Sequence, residues 1–84
     1  MTNLNIKIIS IEGVILESSC HLVVVPSIEG DLGIMFGHEF LITKLRQGKI
    51  TLYDDQHNIT KEIEVSGGYA EMSEADKLSL LIES

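Results

Sequence analysis

Glu29, Asp31 and His38 lie close together in the chain, interleaved with glycines at 30, 33 and 37. Carboxylates and an imidazole beside a bent backbone could work as an acid–base site, an anion cradle or a contact loop. The acid–base case is weak, because the same residue types also serve as ordinary turn and surface groups. A phosphate cradle would need Lys-Ser or Lys-Thr after Gly37 and a helix starting there, and the sequence has neither. Metal binding fares no better. His21, His38 and His57 stand at no ligand spacing. The adjacent Cys20 and His21 would point to opposite faces of a strand, which keeps them from sharing an ion. His57 sits in a polar turn, and His38-Glu39 lacks the second histidine of a metalloprotease helix. Gly67-Gly68 reads as a backbone bend between strands rather than an anion cradle. No catalytic constellation, cofactor site or metal site emerges.

The density of glycine in 30–37 is itself informative. In a helix interior each glycine costs about 1 kcal/mol relative to alanine. The stretch therefore predicts a backbone that bends repeatedly at positive φ or is closely approached by another chain. The surrounding elements must hold it in place.

Eighty-four residues predict a single domain over 1–84 with a modest core. Thirteen acidic residues against six basic give a net charge of −7. That balance argues against nucleic acid and anionic lipid, both of which attract clustered Lys and Arg, and favours a basic protein surface as partner. The lone Cys20 excludes an internal disulfide and reads as a small core or edge residue. No apolar run is long enough to span a bilayer, and the N-terminus does not read as a signal peptide, so the expectation is a soluble cytosolic domain.

Period-two alternation runs through much of the chain. Leu4, Ile6 and Ile8 alternate with polar residues, Glu12-Gly13 turns, and Val14-Ile15-Leu16 opens a second strand. His21–Val25 is apolar on both faces, as in a strand covered on both sides, and Pro26 is expected to end it. Leu41–Leu45 fits a strand or a helical turn; its glycine-rich flanks favour the strand. Ile50 and Leu52 lead through the polar turn 54–58 into Ile59, Ile63 and Val65, a hairpin. Ser66-Gly67-Gly68 is expected to bend, Tyr69–Met72 to form a short strand, and Leu78, Leu80 and Ile82 to share one face. Eight to ten short strands without a convincing helix predict an all-β sandwich or barrel.

Several segments occur together in one order: Val23-Val24-Val25-Pro26, Glu29-Gly30-Asp31-Leu32-Gly33-Ile34, Gly37-His38, Leu41-Ile42-Thr43, and Val65-Ser66-Gly67-Gly68-Tyr69 with Glu71. With Ile9–Val14 at the front, the chain resembles, from about Leu4 to Ile82, the N-terminal domain of the epsilon subunit of F-type ATP synthase. The resemblance implies a ten-stranded β-sandwich, or flattened barrel, in the central stalk of the rotary motor. It implies a non-catalytic subunit without a cofactor that couples rotation of the membrane c-ring to the gamma subunit and so to ATP synthesis. It would be peripheral on the cytoplasmic side of the bacterial inner membrane, and held there only through the complex. By the same resemblance Glu29, Asp31, Leu32 and Gly33 meet the c-ring, and Ser10, His38 and Thr43 face gamma.

Bland readings stand beside these roles: Asp31 as a turn residue, His38 as a loop side chain bonded to nearby backbone. The family's prolines around Gly-His are replaced by Phe36 and by Glu39-Phe40, rings that either pack on a partner or fill the end of the sandwich. The family's C-terminal helical hairpin has no counterpart in these residues. If 84 residues is the native length, neither inhibition by such a hairpin nor a nucleotide site is expected. Two other functions remain open from residues alone: a free-standing β-domain that binds a protein or ligand, and a small enzyme using His38 with Glu29 or Asp31.

Overall fold

The computed structural model describes residues 3–83; Met1, Thr2 and Ser84, at the ends of the expected domain, lie outside the described residues. The alternating segments all become strands: β1 (Leu4–Ser10), β2 (Gly13–Cys20), β3 (Leu22–Ser27), β4 (Gly30–Met35), β5 (Leu41–Leu45), β6 (Gly48–Tyr53), β7 (Ile59–Val65), β8 (Gly67–Glu74) and β9 (Lys77–Glu83). The all-β expectation holds, with nine strands among the described residues where ten were expected. Leu41–Leu45 is a strand, paired residue for residue with β8 from Leu41↔Met72 to Leu45↔Gly68.

The strand order is β2-β1-β9-β8-β5-β3-β6-β7, with β4 added to β3, and every pair is antiparallel except β1–β9. The β5–β3 link consists of one pair, Ser27↔Leu45. It is the corner at which the layer β2-β1-β9-β8-β5 folds over onto the layer β4-β3-β6-β7. Between the layers lie Leu4, Ile6 and Ile8, Val23 and Val25, Ile50 and Leu52, and Leu78, Leu80 and Ile82, all at 5 % exposure or less. Each such side chain contributes roughly 1.5–3 kcal/mol by leaving water. That burial on one face is what holds the strands in register.

Three local expectations are corrected. Pro26 does not end β3; it is buried inside it. β6 pairs with β3 only at Leu22–Val24 and β5 only at Ser27, so Pro26 falls in the gap between them, where no ladder donor is needed. β3 is also less covered than expected, since Leu22 and Val24 are half-buried while Val23 and Val25 are fully buried. Thirdly, Gly67 and Gly68 are not a bend between strands but the first residues of an eight-residue β8. Gly68 has φ 134°, and a Cβ there would run into the Leu81 carbonyl oxygen and come within 2.9 Å of the Ile82 Cα. The glycine is required because β9 lies against its backbone.

The polar turn is as expected. The Asp54 carboxylate accepts from the amides of Gln56 and Asn58, both at 2.9 Å, and these bonds hold its pKa below the usual carboxylate value. Cys20 is a core residue, and burial pushes its thiol up to about 11, so it stays protonated near neutrality.

Candidate functional site

The glycine-rich stretch is mostly strand rather than loop. β3 and β4 form a hairpin whose two-residue turn, Ile28-Glu29, is closed by Ser27↔Gly30. Left-handed φ occurs at Gly30 (125°) and Gly37 (83°) but not at Gly33. The turn is tied down by the Ile28 amide donating to the Lys44 carbonyl (2.9 Å) and the Glu29 amide donating to the Ser27 hydroxyl (3.2 Å).

Beside this hairpin the two layers leave an open groove. β4 walls one side and β5 the other, so Glu29, Asp31, Leu32, His38 and Thr43 come together around it. The structure thus gathers residues that the resemblance divides between two partners. At the floor the hydroxyls of Ser27 and Thr43 are bonded at 2.9 Å. Asp31 is engaged by Arg46, Nη2 to Oδ1 at 2.6 Å, across side chains that are largely in solvent. Glu29 at the tip is exposed and has no cation partner among the described residues. The His38 ring is bonded through Nδ1 to the Glu39 carbonyl at 2.8 Å, and its amide donates to Met35. That contact matches the bland reading of His38. The Gly37 amide donates to the Ala75 carbonyl at 2.8 Å and anchors the segment that carries the two rings. Phe36 and Phe40 are 43 % and 74 % exposed, so they do not fill the end of the sandwich.

Ser10 lies elsewhere. It ends β1 beside Ile82 and Glu83, and its hydroxyl accepts from the Glu12 amide at 3.1 Å. β9 and β8 separate it from β5, a distance of about 14 Å at the usual strand spacing.

Between these two places runs a feature that sequence reasoning missed. Val14 pairs with Ile9, Ile9 with Leu81, and Leu81 with Tyr69, in register across β2, β1, β9 and β8. Directly paired residues share a face, so they form one apolar row on the outside of the layer. Val14, Leu81 and Tyr69 are each about half exposed; on β5 the register partner of Tyr69 is Lys44, and Ile42, 72 % exposed, lies diagonally across from Tyr69, opposite Glu71. The signal was present wherever alternation fails: Ile8-Ile9, Val14-Ile15-Leu16, Leu41-Ile42 and Leu80-Leu81-Ile82. In each, at least one apolar residue faces away from the core. Among the described residues no three His, Cys, Asp or Glu side chains are grouped to hold a metal ion, and no helix is long and apolar enough to cross a membrane.

The sequence model described as ATP synthase, Delta/Epsilon chain, beta-sandwich domain matches residues 3–84. The chain belongs to that family. Among its relatives is the ATP synthase epsilon chain of Granulibacter bethesdensis, 37 % identical over 73 residues, which cover 87 % of this chain and 53 % of the relative. The ATP synthase epsilon chain 2 of Burkholderia orbicola is 36 % identical over 72 residues, 86 % of this chain and 47 % of the relative. The chain spans about half the length of the curated relatives it matches. Solved structures share the fold. A chain in the OSCP/F1/c-ring assembly of the Euglena gracilis mitochondrial ATP synthase superposes with a TM-score of 0.88 at 16 % identity, over all of this chain and 52 % of that one. A chain from the central stalk and c-ring of the Tetrahymena thermophila enzyme gives 0.77 at 10 % identity, over 96 % and 63 %.

Proposed function

We propose that this chain is a non-catalytic subunit of the central stalk in a proton-translocating F-type ATP synthase, coupling rotation of the c-ring to gamma and to ATP synthesis in the head. Family membership over residues 3–84 supports the role, and the bacterial relatives support a peripheral place on the cytoplasmic side of the inner membrane. A close-packed sandwich suits a torque-bearing part, because dense interiors transmit strain rather than absorb it.

The apolar row is the observation that carries the choice of gamma's docking face. It runs from Val14 and Ile9, near the end of β1, through Leu81 to Tyr69. Ser10 and Thr43 are chain neighbours of outward-facing residues and lie in the opposite phase, Thr43 turned to Ser27 in the groove. Half-exposed Leu81 and Tyr69 at its centre gain most by leaving water on contact. The c-ring contact is the hairpin of Glu29, Asp31, Leu32 and Gly33. There Glu29 offers the free carboxylate, while Asp31 is already paired with Arg46. A rim ion pair of this kind sets register more than affinity. His38 lies nearer this hairpin than the row, so it joins the gamma contact only at the β5 side of the row.

Affinity purification of the tagged chain from its own cells tests the role. Recovery with alpha, beta, gamma and c subunits is expected, and Leu81→Glu with Tyr69→Glu should abolish recovery of gamma while the chain stays folded. A chain that purifies alone refutes the role. A double variant that still retains gamma refutes the docking face.

A further inference from the structure

The groove between β4 and β5 is an incomplete part of the sandwich. β4 is bonded to β3 on one side only. The Pro26 carbonyl accepts from the Arg46 amide and so points away from β4; its partner Asp31 therefore turns its own backbone groups away from β3. The same phase holds at Gly33 and Met35. His38 takes the Met35 carbonyl, which leaves the amide and carbonyl of Asp31 and Gly33 on the free edge of β4 without a backbone partner among the described residues, Asp31 at the groove itself.

Free edges invite strand pairing unless they are guarded. The edge strand β7 carries Lys61, Glu62 and Glu64, and the edge strand β2 carries Glu17 with two serines. β4 has no charge from Leu32 to Met35, and at Gly33 it has no side chain at all. Nothing inside the fold requires that glycine: its φ is not left-handed, and a Cβ would meet only the Leu22 side chain at 3.4 Å, an ordinary contact. The core is also thin here. Leu32 and Leu41 pack against it but remain half-exposed along the groove walls.

We propose that β4 receives an added strand from a neighbouring rotor subunit. The occupant is an extended segment with an apolar residue facing inward and a basic residue near the hairpin tip. Its backbone pairs with Asp31 and Gly33, and its inward side chain covers Leu32 and Leu41. Its cation meets Glu29, which has no internal partner, and Glu39 adds to the negative charge of that side. The bare backbone at Gly33 leaves room on the outer face for a large cross-strand side chain. The inference rests on the stalk assignment above and adds the mode by which the hairpin binds.

Amide exchange distinguishes the two. The isolated subunit and the assembled ATP synthase are exchanged in deuterated buffer, quenched, and read by NMR on the released subunit. In the isolated subunit Leu32 and Ile34, bonded to β3, are protected and Asp31 and Gly33 are not. In the assembled enzyme Asp31 and Gly33 slow by at least about tenfold, as amides entering a ladder do. An unchanged Gly33 rate in an enzyme that retains the subunit overturns the added strand and leaves the stalk assignment standing. A subunit absent from the purified enzyme overturns both.

Discussion

Two glycine-containing strands in this protein look alike in sequence and differ in why the glycine is there. Gly68 opens β8 with its backbone pressed against β9, and a methyl group at that position would collide with the Leu81 carbonyl. Gly33 sits inside β4 with ordinary φ and room for a methyl beside Leu22. The first glycine answers to the interior of the chain. The second answers to nothing inside it, and it lies on the free edge of the sheet. A strand glycine is thus diagnostic only after its surroundings are known: demanded from within, it marks packing, and otherwise it marks a surface.

The largest effect is expected at the packed glycine. Gly68→Ala combines a left-handed backbone with a close backbone contact, and should cost about 3 kcal/mol or more. That is a large part of the stability of a domain this small. Urea denaturation of the isolated chain measures it. A loss below about 1 kcal/mol would erase the contrast between the two glycines.

Ser27, at the corner where the layers meet, comes next. It is 3 % exposed, bonded to Thr43 and accepting from the Glu29 amide. Ser27→Ala strands both partners and should cost about 1–2 kcal/mol. Thr43→Val removes the same bond while leaving the Ser27 hydroxyl with the Glu29 amide, so it should cost less. Equal losses would mean that the bond to Glu29 contributes nothing to holding the hairpin tip.

How much of this could be read in advance follows the same division. β1, β6 and β9 were legible because buried apolar residues recur at every second position, and β7 because Ile63 and Val65 follow a polar turn. β4 was not, since Gly30 and Gly33 interrupt its alternation and the stretch reads as a loop. The role of Gly68 depends on β9, which arrives ten or more residues later through pairing that no local pattern specifies. Asp31 and Arg46 were not linked because only the Ser27↔Leu45 corner brings them together. The apolar row was hidden for a similar reason: each strand contributes a single residue in the wrong phase, and only register aligns them. Residues that the resemblance assigns to different partners, Glu29, Asp31 and Leu32 to one and His38 and Thr43 to the other, line one groove, whereas Ser10 belongs to another part of the surface.

Gly33→Ala sharpens the comparison from the other side. Where φ is compatible and space exists, alanine restricts the unfolded chain more than glycine does, and the folded state gains about 0.5 kcal/mol. The isolated variant should therefore melt at or slightly above the parent temperature in a thermal scan. A loss above about 1 kcal/mol would show that the interior needs this glycine after all, and would place it with Gly68.

The smallest effect belongs to the ion pair that spans the free edge. Arg46 and Asp31 meet at 2.6 Å, but their side chains are 45 % and 67 % exposed, so water competes for both charges. Arg46→Ala should lower stability by about 0.5 kcal/mol or less, a difference that shrinks further in high salt because exposed charges are screened. Its consequence lies at the surface: Asp31 joins Glu29 as a second free carboxylate at the hairpin tip, so a cationic partner should dock on the variant at least as well as on the parent. Measuring stability at low and high salt, and subunit retention in the assembled enzyme, checks both halves. A loss of several kcal/mol that persists in salt would mean that Arg46 braces the corner between the layers, and the β4 edge would then be fastened from within as Gly68 is.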